Sequence, residues 1–181
     1  MTRVKEERGA SAVEMSLVVG LLVMIAIGAF EYGMAFRSWF GVTAAAREGA
    51  RVAASAGSFH DADCTILEAA AAALLSNTGN EIVRLEVFKH NPVTGAEGPS
   101  NAYRPFDPAA DDNSKLVCGS WFRLHENWPA TSRDDDGATR DWVGVRVTYR
   151  HNWITGALWW TGAVEWSNTH VMHLEPVPYH P

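Results

Sequence analysis

Fifteen consecutive residues, Ser16 to Phe30 (SLVVGLLVMIAIGAF), carry no charge and are mostly strongly apolar. Continued to Phe36, this stretch makes a helical rod long enough to cross roughly 30 Å of hydrocarbon at about 1.5 Å per residue. From Ala10 to Phe36 the only charged residues are Glu14 and Glu31. The flank before the run is short and basic: Arg3, Lys5 and Arg8 stand against Glu6 and Glu7. That polarity predicts a single-pass membrane protein with its N-terminus in the cytoplasm and its body outside.

An ordinary secretory signal would pair the basic start and apolar core with a small-x-small cleavage site. Here the run continues into Glu31-Tyr32-Gly33-Met34-Ala35-Phe36 with no clean cleavage site after it. The basic region ends instead at Arg8-Gly9, before the apolar run begins. A cut after Gly9 would leave the hydrophobic helix as the new N-terminus and give Ala10 a free ammonium. Glu14 would then lie one turn further on, in the positive field of the helix start, where a buried amine and a buried carboxylate can neutralise each other. Glu14 and Glu31 are about 25 Å apart along a helix, less than the hydrocarbon thickness, so both cannot reach the two headgroup layers of an upright helix. A carboxylate inside the membrane costs roughly 3 kcal/mol or more and points to a function; the plainer reading lets each snorkel to an interface.

The segment Arg8-Gly9-Ala10-Ser11-Ala12-Val13-Glu14 resembles the processing site of type IVb pilins of the Tad (tight adherence, or Flp) system. The closest resemblance is to the TadE-like minor pilins, through the Glu31-Tyr32-Gly33 triplet and the Ala-Ala-Arg-Glu-Gly-Ala-Arg segment at Ala45 to Arg51. Val143 to Tyr149 and Val171 to Pro176 look like the family's closing strands. The resemblance implies a minor pilin (pseudopilin) that a prepilin peptidase cuts between Gly9 and Ala10, with Glu14 serving assembly. Its partners would be the major and other minor pilins, the peptidase, the Tad assembly platform and the membrane, and its role to prime or cap a pilus used in adherence. The alternative is a membrane-anchored extracytoplasmic binding or sensor domain that never enters a filament.

The division expected is a cytoplasmic leader at residues 1–9, a membrane and filament-core helix at 10–36, and an extracytoplasmic body at 37–181. The body is acidic: the first nine residues net +1, so the rest totals −7, of which Glu14 and Glu31 supply −2 and the body −5. An acidic body argues against nucleic acid as a partner. Its two cysteines, Cys64 and Cys118, predict one disulfide, because the compartment beyond the membrane is oxidising.

For the body, alanine-rich sequence carries the first helix on to Ala56, where Gly57 breaks it, so one helix is expected from about Ser11 to Ala56. A second fits Asp61 to Ser76, capped by Asp61 or Asp63, with Gly79 past its end. Glu81 to His90 and Trp142 to His151 alternate with period two, Ile82 being out of phase. Lys115 to Leu124 and Glu165 to Leu174 complete four expected strands, and 91–114 and 127–140 read as surface loops. The fold expected is α+β, pilin-like, with the helices on a small antiparallel sheet.

Other chemistry finds little support. His170 and His173 fall on opposite faces of a strand. The aspartates at 107, 111, 112 and 134–136 lack the calcium-loop spacing. Trp153, Trp159, Trp160 and Trp166 form either a small core or an exposed patch. Arg47, Glu48 and Arg51 read as solvated helix charges. The chain holds no nucleophile elbow, Walker loop, H-E-x-x-H or C-x-x-C, so no enzyme activity, cofactor or metal is expected.

Overall fold

The computed structural model describes residues 3–75, 80–156 and 162–176. Helix α1 runs Arg3–Ala56 and α2 Ala62–Leu75. Six strands follow: β1 Asn80–His90, β2 Glu97–Pro105, β3 Leu116–Val117, β4 Trp121–Glu126, β5 Trp142–Asn152 and β6 Ala163–His173. They form one sheet in the order β3-β4-β2-β1-β5-β6, antiparallel at every pairing. The fold is α+β. Two compact units divide the chain, one of Met1–Phe36 with Trp153–Gly162, the other of Arg37–Asn152 with Ala163–Pro181.

In the larger unit the core lies between the helices and one face of the sheet. Val42, Ala45, Ala46, Ala50 and Ala53 of α1 are fully buried, as are Ile66, Leu67 and Ala70 of α2. They meet Leu85 and Val87 of β1 and Val143, Val145, Val147 and Tyr149 of β5. Small side chains let the layers approach closely: a Cβ on Gly49 would stand 3.0 Å from Val145 Cγ1 and 3.3 Å from Ala70 Cβ. On the other face Phe88 fills the space above Gly144, and the Arg146 guanidinium lies 5.3 Å from the Phe88 ring centroid. Helix α1 ends where Gly57 turns left-handed (φ 52) and returns its N–H to Ala53 O, as a glycine past a helix end does.

Four features of the sheet and helices differ from the sequence expectations. The helix begins at Arg3 rather than near Ser11, since Lys, Glu and Arg are good helix formers and nothing there breaks the helix. The 91–114 stretch contains β2, an inner strand that escapes the alternation test because Asn101, Ala102 and Tyr103 are buried in succession. The strand expected at Lys115 to Leu124 is a hairpin, β3 and β4, because Cys118 (φ 51) and Gly119 (φ 72) are both left-handed and reverse the chain. Lys115 itself closes a short 3-10 turn, Asn113–Lys115. The 127–140 stretch is no plain surface loop: it buries Trp128, Ala130, Arg133 and Asp135. Ser76 and Gly79 lie outside the described residues.

Candidate functional site

The smaller unit carries the residues to which sequence assigns a role in processing and assembly. Gly9, Ala10 and Glu14 are all on α1 and exposed. Among the described residues a side chain at Gly9 would meet nothing within 4 Å, so packing against them does not explain glycine there. Leu17, Leu21, Leu22 and Ile25 are each more than half exposed. An apolar surface of this extent is not left facing water; it implies a lipid or protein cover. The Gly9–Ala56 portion of α1 is long and apolar enough to cross a membrane.

One stripe of the same helix is covered: Gly28, Glu31 and Ala35, at helical spacing, are buried. Glu31 is fully inaccessible. Its carboxylate accepts the backbone N–H of Ile154 at 3.1 Å and that of Thr155. Beside it, Tyr32 meets Trp153 edge to face, with ring centroids 6.3 Å apart. The start of the β5–β6 loop is thus hung on the helix through the one carboxylate between Met15 and Phe36. Two consecutive backbone donors aimed at one carboxylate form an anion-holding concavity, just ahead of Gly156 with its left-handed φ of 56. Sequence reasoning treated Glu31 as snorkelling or functional and did not find this pairing. The available signal was that a carboxylate amid apolar residues requires donors.

In the larger unit, Cys64 of α2 and Cys118 of the β3–β4 turn form a disulfide. The adjacent Asp63, expected as a helix cap, instead faces inward. Its carboxylate accepts the Tyr103 hydroxyl at 2.6 Å, the Asn101 amide at 2.7 Å and the Arg133 guanidinium. Asn101 also exchanges hydrogen bonds with the Trp128 backbone, donating at 2.7 Å and accepting at 2.8 Å. Arg133 lies over the Trp128 ring, 4.8 Å from its centroid. Burial pushes the Tyr103 hydroxyl well above its usual range, and the Asp63 charge adds to this. Asp61, the other expected cap, pairs with exposed His60 and accepts the Thr65 N–H through its carbonyl. A half-open cleft of about 410 Å³ beside the disulfide is lined by His60, Asp63, Tyr103, Arg123 and Glu126 among others.

The remaining expectations resolve individually. Glu48 and Arg51 form an exposed ion pair at 2.6 Å, three residues apart. Asp111 pairs with Arg104, whose guanidinium holds the carboxyl below the usual range. Asp135 accepts the Ser58 N–H at 2.6 Å and Asp112 caps a 3-10 turn. Among the described residues no cluster of three or more His, Cys, Asp or Glu side chains could hold a metal. His173 stacks on Trp142 at 4.9 Å. Trp166 is half-buried against Tyr149 and His151, whereas Trp159 and Trp160 lie outside the described residues.

Residues 9–51 match the family model described as TadE-like protein. The match begins at the glycine of the expected cut and covers the Glu31-Tyr32-Gly33 triplet and the Ala45 to Arg51 segment, but not the stretches Val143 to Tyr149 and Val171 to Pro176. Neither a curated protein nor a solved structure matches the chain.

Proposed function

We propose that this chain, TadE-like over its first helix, is a minor pilin of a Tad-type pilus. The apolar half of α1 crosses the membrane with its N-terminus in the cytoplasm. A prepilin peptidase cuts between Gly9 and Ala10, and the helix then leaves the bilayer to pack among major and other minor pilins on the Tad assembly platform. The body stays outside and helps prime or cap the filament for adherence. The observation that carries this reading is a helix whose apolar first half is exposed on nearly every side, within a family match that starts at Gly9. An exposed glycine with open space around it suits recognition by another protein better than internal packing. The work is structural, and no residue is assigned a catalytic role.

The test is N-terminal sequencing of the protein from its native host, where the first residues should read Ala-Ser-Ala-Val-Glu. Protein that keeps Met1 in the presence of active peptidase would remove the pilin reading. The cleft beside the disulfide favours the second reading, an anchored extracytoplasmic binding domain. That reading expects no cleavage and no loss of pili when the gene is deleted.

A further inference from the structure

The smaller unit has a second surface with the chemistry of a membrane contact. The described start of the β5–β6 loop, Trp153 to Gly156 (WITG), contains no charged residue. Ile154 is 55% exposed although it is a large apolar side chain. The loop is held at Glu31, and the exposed rings nearest in sequence are Phe30, Tyr32 and Phe36. Aromatic rings in a band at one level of an apolar helix mark a membrane–water interface.

The length of the helix supports the same placement. If Glu31 were open to its surroundings, the uncharged surface would run only from Met15 to Phe30, about 24 Å and too short for the hydrocarbon layer. With Glu31 enclosed by backbone donors, the uncharged surface continues to Phe36. That is 22 residues or about 33 Å, enough to cross. Glu31 then lies six residues before Arg37, about 9 Å along the helix from the next charge, within the depth at which interfacial elements lodge.

We propose that the start of the β5–β6 loop, Trp153 to Gly156, is a second membrane-contacting element that lies in the outer interfacial layer of a phospholipid bilayer, with Glu31 as the residue that positions it. Enclosing the carboxylate and presenting Trp153 and Ile154 to lipid are two parts of one arrangement. The inference rests on the reading of α1 as a membrane span.

The test places a photoactivatable p-benzoylphenylalanine at Ile154, at Leu22 or at Val93 in the full chain, reconstituted in phosphatidylcholine vesicles. Leu22 is 58% exposed on the apolar helix, and Val93 is 91% exposed on the β1–β2 turn. Irradiation should add the mass of one phospholipid from Ile154 and from Leu22 but not from Val93. Lipid on the Leu22 probe without lipid on the Ile154 probe overturns the loop assignment and leaves the span intact. So does an Ile154 probe that captures a second copy of the chain instead of lipid. No lipid from Leu22 removes the span and this inference with it. In a Glu31→Ala background the Ile154 adduct should fall several-fold while the Leu22 adduct holds; equal Ile154 yields would overturn the positioning role of Glu31.

Discussion

The Tyr103 hydroxyl donates to the Asp63 carboxylate across 2.6 Å, joining strand β2 to the first turn of α2. The same carboxylate receives the Arg133 guanidinium, whose side chain is wholly buried. Removing one partner of a buried ion pair leaves the other charged and uncompensated, which costs about 3–5 kcal/mol. Asp63→Ala should therefore destabilise the body by that order, whereas a change at the exposed Glu48–Arg51 pair should cost under about 1 kcal/mol. Urea unfolding of both variants in detergent micelles, followed by tryptophan fluorescence, makes the comparison.

Two buried tyrosines should behave oppositely when the hydroxyl is removed. Tyr103→Phe takes a donor from a buried carboxylate and should cost about 1.5–3 kcal/mol. The Tyr149 hydroxyl is buried with no hydrogen-bond partner among the described residues. Tyr149→Phe should then be neutral or stabilising, because an unsatisfied polar atom is replaced by none. Burial raises both hydroxyls above the usual range. A raised folded-state pKa means that the unfolded chain loses its proton first as pH rises. The stability from these groups is complete below about pH 10 and falls above it. Each Phe variant should show a shallower alkaline loss than the parent above about pH 10.

Gly144→Ala tests the outer face of the sheet. A Cβ there would overlap the Phe88 ring, and overpacking of this kind costs about 1–3 kcal/mol. Trimming the ring in the Gly144→Ala, Phe88→Leu double variant should recover part of the loss. Additive losses measured by chemical denaturation would show that the two side chains do not conflict.

The Cys64–Cys118 bridge closes a separation of 54 residues. On the chain-entropy account it stabilises by about 4 kcal/mol. Non-reducing peptide mapping of exported protein should recover the two cysteines joined. A Cys64→Ser, Cys118→Ser variant should unfold at clearly lower denaturant.

Sequence was most readable where one physical signal dominated. The apolar run and the alanine-rich stretch after it read directly as α1, since nothing else competes with uninterrupted hydrophobicity. β1 and β5 followed from alternation, and even the anomaly at Ile82 has a structural cause. A bulge between Ile82 and Arg84 inserts one residue opposite β5, so Ile82 pairs with Tyr149 on the core side while Leu85 and Val87 also face the core. β2 was not readable, because its inward residues include Asn101, whose burial depends on partners distant in sequence. The same holds for Glu31: the need for donors was local, but the donors themselves are more than a hundred residues away.

Glu14 offers the sharpest test of assembly. It is exposed on α1, four residues beyond Ala10, and in the proposed mature protein it offsets the new ammonium. Loss of the carboxylate should spare membrane insertion, and removing a charge from the apolar segment should favour it by a kcal/mol or more. Packing into a helical bundle should suffer, because the amine would be buried without a counter-charge. Glu14→Leu should be inserted and cut, yet fail to support pili in a complemented deletion strain. Glu31→Gln should be milder, since its amide oxygen still accepts a backbone N–H and no terminal amine depends on it. Surface pili and membrane fractionation are the two readouts, and the second separates failure to assemble from failure to insert. Normal piliation with Glu14→Leu would dismiss charge pairing as the mechanism while leaving the cut after Gly9 to be judged by the N-terminal sequence.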